Sequence, residues 1–490
     1  MKRFALSLMI MFLIAVSMIG QTMNQSTVLR PSFPPPYRDS LLNGLQVIVV
    51  ERPSTNNVAI NYTIRTGALF DVVDRAGLAD LVADLIMTGG TLGWGQQRIA
   101  QTIDTEAPDF KITTGWDTTS ITATTKAEDL QDVLGMIGAL IGQAKFDKPA
   151  FEKAKTDRIN RLRQSNESPD ETAKQVLASK LYPHYPLGHS ISGTAQSISN
   201  ITISDVLGFY RRFYLANNSS LVVVGNSNRE TVTNAARSSL GQLLKGEIIP
   251  ASFTPAESPS KTSVYIVDEP TGDRSYLAMG QPGIARTSDA YFPALVLNYA
   301  LAGGPNSRLS KKLGEEHNYS RNAVGKFETL RVAGPFVVTA QTSTSDVSGA
   351  VAEVVKLLSE VRAQGLTNAE IEGAKDHFIS SYDLKLETNE QLAERLSEIE
   401  SYGLGRDYIL NYKSRVAAVT VDQVRSNAGS LLRPDALVIV AVGPASRIKD
   451  ELAKLGPVEM VNYDPRYIAP PPPPKPAAKS PEAKPTGQPQ

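Results

Sequence analysis

The chain has 490 residues, 41% of them apolar and 20% charged, which describes a folded protein of two or three domains rather than a disordered one. Fifty basic side chains balance fifty acidic ones, so no nucleic acid is expected as partner, and no anionic membrane surface either, since both need a basic excess. There is no cysteine, which excludes disulfides, thiolate zinc sites, iron–sulfur clusters and a cysteine nucleophile.

Lys2 and Arg3 precede an apolar run from Phe4 to Ile19, and the chain turns polar at Gln21. That pattern reads as a secretory signal over 1–20, with Ala15-Val16-Ser17 as an A-x-A-like cleavage site. An uncleaved N-terminal anchor is the alternative. No later run reaches the ~18 continuous apolar residues of a membrane helix. The expectation is an exported protein, periplasmic or secreted, with no membrane span after signal cleavage.

Leu45 to Val50 is a short apolar strand after the turn pair Asn43-Gly44. From Val58 to Ile64 apolar residues alternate with others, which predicts a half-buried strand. Gly77 to Met87 switches to helical spacing and stops at Gly89-Gly90. A strand over Ile121–Thr125 follows, then a helix whose face is Leu130, Leu134, Ile137 and Ile141. Helices near 151–163 and 204–214 and a strand over Leu221–Val224 close the first half.

The second half repeats this order. Gly303-Gly304 stands 214 residues after Gly89-Gly90, and Val347, Val351, Val354 and Leu358 follow the first helix face at 217. Ile371-Glu372 with Ala374-Lys375 mirrors Phe151-Glu152 with Ala154-Lys155 at 220. Thr420–Val424 echoes Thr202–Val206, and Gly443 echoes Gly225, both at 218. A duplicated unit of about 215 residues explains these landmarks. The expected fold class is α+β: two homologous domains, 40–250 and 263–464, each a mainly antiparallel sheet packed with helices. A Ser-, Pro- and Thr-rich linker, 251–262, joins them, and a disordered tail, 465–490, carries ten prolines in 26 residues.

The four histidines are His184, His189, His317 and His377. His184 and His189 sit five apart in a Pro- and Gly-rich loop without an acidic neighbour and read as surface residues; the other two are isolated. Gly188-His189-Ser190-Ile191-Ser192 approaches a nucleophile elbow, but its last glycine falls one residue late, at Gly193.

The blocks NGLQVIVVERP, INYTIRTGALFD, GLADLVADLIMTGGT, YPHYPLGHSISGTAQSISNITISDVLGFYRRFY and NNSSLVVVGN, in that order, resemble the insulinase/pitrilysin family of zinc peptidases. They are most similar to its bacterial branch related to mitochondrial processing peptidase, and GGPNSRLSKKL onward resembles that family's non-catalytic repeat. The resemblance spans roughly Asn43 to Gly443. It implies an inverted motif, H-x-x-E-H, in which two histidines hold zinc and the glutamate is general base.

Set on that motif, Asp80 and Asp84 stand at the histidines and Ala83 at the glutamate. The third ligand, a glutamate about 76 residues on, falls where this chain offers Asn160 or Arg161. Alanine cannot accept a proton. Two carboxylates alone are too few for Ca²⁺ or Mg²⁺, which want about six oxygens. No cofactor is therefore expected, although the family uses zinc. The family's substrate-orienting arginine and tyrosine correspond to Gly314 and Arg321, with Tyr319 two residues from the second position. The resemblance thus implies a catalytically deficient relative, paired with a zinc-bearing homologous subunit in a peptide-enclosing clamshell. A stand-alone peptide- or envelope-binding scaffold and an active zinc endopeptidase are the alternatives.

Overall fold

The computed structural model describes residues 33–164, 168–248 and 252–464; the signal and tail readings lie outside them. Two six-stranded sheets form the frame. The first runs β1 (Tyr37–Ser40), β2 (Gln46–Glu51), β6 (Ser219–Gly225), β3 (Val58–Ile64), β5 (Thr119–Thr125), β4 (Lys111–Thr114). The second runs β12 (Val458–Met460), β7 (Ser263–Asp268), β11 (Val438–Gly443), β8 (Arg274–Pro282), β10 (Pro335–Ser343), β9 (Val324–Phe327).

From β2 to β4 and from β7 to β9 the orders correspond strand for strand. In each sheet the first of these pairs is parallel and the rest antiparallel. The repeat is also kept at helix starts: Thr202 and Thr420 each form a capping box, with Asp205 and Gln423.

Each sheet is covered by its own helices on one face and by a helix of the other repeat on the other. The Pro169–Leu181 helix packs on β8 and β11, and the Asn389–Ser401 helix packs on β3 and β6. The cores follow this exchange. Ala59, Val222 and Val224 of the first sheet share a core with Leu392 and Leu396, while Val176 and Leu177 share one with Val438 and Val440. The strand over Val58–Ile64 is therefore buried at all seven positions, not half-buried. Its second face lies under a helix written about 330 residues later.

The exchanged helix is tied down at its start. Asn389, 3% exposed, donates through Nδ2 to Asn57 Oδ1 at 2.8 Å and to the Asn57 carbonyl at 3.1 Å. Arg52 donates to the Glu387 carbonyl at 2.9 Å. Among the described residues no helix is long and apolar enough to cross a membrane.

Candidate functional site

The segment that the resemblance sets on the zinc motif forms the Leu78–Thr88 helix. Its start is held by Asp71, whose Oδ2 accepts the Gly77 N–H and whose Oδ1 accepts the Ala79 N–H, both at 2.8 Å. A carboxylate suits a helix N-terminus, but burial dominates and pushes the Asp71 carboxyl up to about 7. Gly77 adopts φ 92°, and a Cβ there would meet the Ser192 carbonyl at 2.8 Å, so glycine is required. Leu78, Leu81, Val82, Leu85 and Ile86 bury one side of the helix. Asp80 and Asp84, one turn apart, face the Lys148–Gln164 helix.

Arg158 enters between them. Phe151, Ala154 and Arg158 are the buried residues of the Lys148–Gln164 helix, so the arginine occupies a core position in the stripe. Its Nη1 donates to Asp80 Oδ2 and its Nη2 to Asp84 Oδ2, the latter at 2.6 Å. Arg161 adds a third contact, Nη2 to Asp84 Oδ2 at 2.6 Å. Burial alone would lower the Arg158 pKa, but the two carboxylates outweigh it and raise the value. Asn160, on the exposed side of the same helix, does not face the aspartates.

These residues do not fit zinc. Both carboxylates are engaged by a guanidinium, which has no lone pair to give a metal, and the third side chain reaching them is a second arginine. Ala83, 4% exposed, lies on the helix's buried side with only a methyl group. Among the described residues no group of three or more His, Asp or Glu is placed to hold a metal ion.

The sister repeat answers the same packing problem without charge. At offsets of 214 and 220, Asp80, Asp84 and Arg158 correspond to Ala294, Asn298 and Phe378. The helices that carry them, Tyr291–Asn298 and Asn368–Ser381, pack together as the first pair does.

Gly314 falls in a π-helical turn, Lys311–Glu316, and Arg321 is exposed in the bend before β9. Tyr319 is packed on its neighbours. Its ring stacks on His317 at 5.1 Å and lies so close to the Val347–Gln364 helix that a Cβ on Gly349 would come within 2.8 Å of it.

His377 stacks on Tyr299 at 4.1 Å. His184 is exposed, whereas His189 is not the surface residue its loop implies. It packs on Trp116 at 5.4 Å, and burial lowers its pKa. It helps line a cavity of about 530 Å³ between the repeats, with Leu177, Leu181, Lys326 and Val337 on its walls.

Residues 46–195 match insulinase (peptidase family M16), and 200–378 match the peptidase M16 inactive domain. The uncharacterized zinc protease YmxG of Bacillus subtilis is 20% identical over 81% of this chain and 96% of its own. The non-peptidase homolog YmxG of Helicobacter pylori is 24% identical over 70% and 78%. The mitochondrial-processing peptidase subunit beta of Blastocladiella emersonii is 22% identical over 84% and 89%. A peptidase M16 inactive domain from Pseudomonas fluorescens superposes with a TM-score of 0.77, at 23% identity, over 84% of this chain and 98% of that one. Two collinear matches and two corresponding sheets lead to one conclusion: the chain belongs to the M16 insulinase family of peptidases and peptidase-like proteins.

Proposed function

We propose that this chain is a non-catalytic M16 subunit, exported from the cytoplasm, which forms half of a peptide-enclosing clamshell with a zinc-bearing homologous chain. The observation that carries the reading is Arg158 held by Asp80 and Asp84, with Ala83 where a general base would stand. The guanidinium replaces the charge of a metal but cannot bind water, so it cannot generate a hydroxide nucleophile. What remains is a family frame able to support a partner and enclose a substrate. A similar protein being named a subunit supports the two-chain form, and the charged start and apolar run of 1–20 support export.

The test is co-expression of the mature chain with a homologous H-x-x-E-H protein from the same cell. The expected result is a stable 1:1 complex in which peptide cleavage exceeds that of the zinc subunit alone. A chain that stays monomeric and leaves that activity unchanged would instead be a stand-alone scaffold. Chelator-sensitive cleavage by the isolated chain would overturn the non-catalytic reading altogether.

A further inference from the structure

A second cavity, of about 470 Å³, lies beneath the linker and away from the aspartate–arginine cluster. Phe253, Pro255 and Ala256 form one wall and Pro282, Val332 and Leu431 the other. Phe253 is fixed edge-on against Phe70 at 5.7 Å, so the linker wall has a defined place. Among the described residues no acidic side chain lines this cavity, but Arg331 and Arg433 both do.

Only Arg433 has donors free for a ligand. Arg331 is committed elsewhere: its Nε lies 4.0 Å from Asp117 Oδ1 as an ion pair, and its Nε and Nη2 are buried away from the cavity. The other Asp117 oxygen is already taken by the Tyr402 hydroxyl and the Arg331 N–H. Arg433 is anchored through its backbone, whose N–H donates to Gln281 Oε1 at 2.7 Å. Among the described residues no carboxylate lies within ion-pair distance of its side chain.

We propose that this pocket binds a carboxylate carried on an apolar body, either the C-terminal end of an extended peptide or a free apolar acid. The exposed Arg433 guanidinium, with no carboxylate in reach, supplies the fork that a carboxylate fits, and Arg331 on the lining leaves the cavity without negative charge of its own. Apolar walls of this size suit a hydrophobic side chain beside it, and a bare inorganic anion would leave them unused. The proposal is independent of whether the chain pairs with a zinc subunit.

Calorimetric titration of the full mature chain at low ionic strength tests it, with three probes: N-acetyl-Ala-Ala-Phe as free acid, the same peptide as its amide, and 3-phenylpropionate. The acid should bind at least about ten-fold more tightly than the amide, the loss expected for one charge-assisted contact. Arg433→Gln, an exposed change, should weaken acid binding by about ten-fold and leave the melting temperature unchanged. Phenylpropionate binding as tightly as the peptide would identify the free acid as the ligand class; weaker binding would identify the peptide terminus. Equal affinity for acid and amide, no binding of any probe, or wild-type affinity in Arg433→Gln would each overturn the proposal.

Discussion

The Asp117 carboxylate accepts the backbone N–H of Arg331 at 2.9 Å, joining the tips of two hairpins, β4–β5 and β9–β10, that hold the same place in the two repeats. The Tyr402 hydroxyl donates to the same oxygen at 2.7 Å from the end of the exchanged Asn389–Ser401 helix. Three segments thus converge on one carboxylate that is 4% exposed.

Asp117→Ala should therefore destabilise the protein by about 1–3 kcal/mol, since it leaves a buried N–H and a hydroxyl without acceptors. Tyr402→Phe removes one donor and should cost about 1 kcal/mol. Urea denaturation of the two variants and their double mutant checks this; additive losses would mean that the two groups do not share the carboxylate.

Removing Arg158 alone should be worse than removing the whole cluster. Arg158→Met leaves Asp80 without a counter-charge beside Asp84 and should cost about 3 kcal/mol, the lower end for a broken buried pair, because Asp84 keeps Arg161 and some solvent contact. The triple change Asp80→Ala, Asp84→Asn, Arg158→Phe writes the sister repeat's residues into the first and should fall within about 1 kcal/mol of wild type. A triple variant as unstable as Arg158→Met would show that the two repeats do not pack alike here.

Zinc uptake should depend on position 158. Asp80→His, Ala83→Glu and Asp84→His together still leave a cation facing the new ligands, and zinc measured after dialysis should stay well below one per chain. Adding Arg158→Glu should raise zinc markedly, while adding Asn160→Glu should not, because Asn160 faces solvent. Equal uptake by the two sets would remove Arg158 from the ligand-facing position.

Acid sensitivity should reside partly in the Arg308–Glu370 pair. Burial pushes the Glu370 carboxyl up, but the Arg308 fork, at 2.6 and 2.7 Å, and the Thr367 donors outweigh it and hold it at about 2. A depressed carboxylate contributes stability that is present above its unfolded value near 4.5 and lost as pH falls toward 2. Glu370→Gln should lower stability at pH 7 and flatten the dependence across that acid window. Asp71 acts with the opposite sign: its raised carboxyl makes stability decline as pH rises from about 4 toward 7. Unfolding free energies at a series of pH values separate the two.

Much of the frame was legible because strand and helix periods are local signals. The strand over Val58–Ile64 and the helix over Leu78–Thr88 fall where alternation and 3.6-residue spacing place them. The second covering of β3 was not legible, since its partner helix lies in the other repeat and no local pattern encodes that distance. The Pro169–Leu181 helix went unread although Ser168 with Pro169 and Glu171 is a helix-start signature. Asp80, Ala83 and Asp84 were singled out through the family resemblance, not through a local pattern. Arg158 was not singled out, yet a charged residue in the stripe Phe151, Ala154, Arg158 marks a core position that demands an opposite charge.

The exchange of the Pro169–Leu181 and Asn389–Ser401 helices makes the two repeats topologically interdependent. A single repeat expressed alone would leave β3 and β6, or β8 and β11, bare on one face and a helix without a sheet. Two such copies could cover those faces by trading the helices, as the two repeats do within this chain. Carrying both repeats on one chain turns what would be an encounter between two molecules into the closure of one loop.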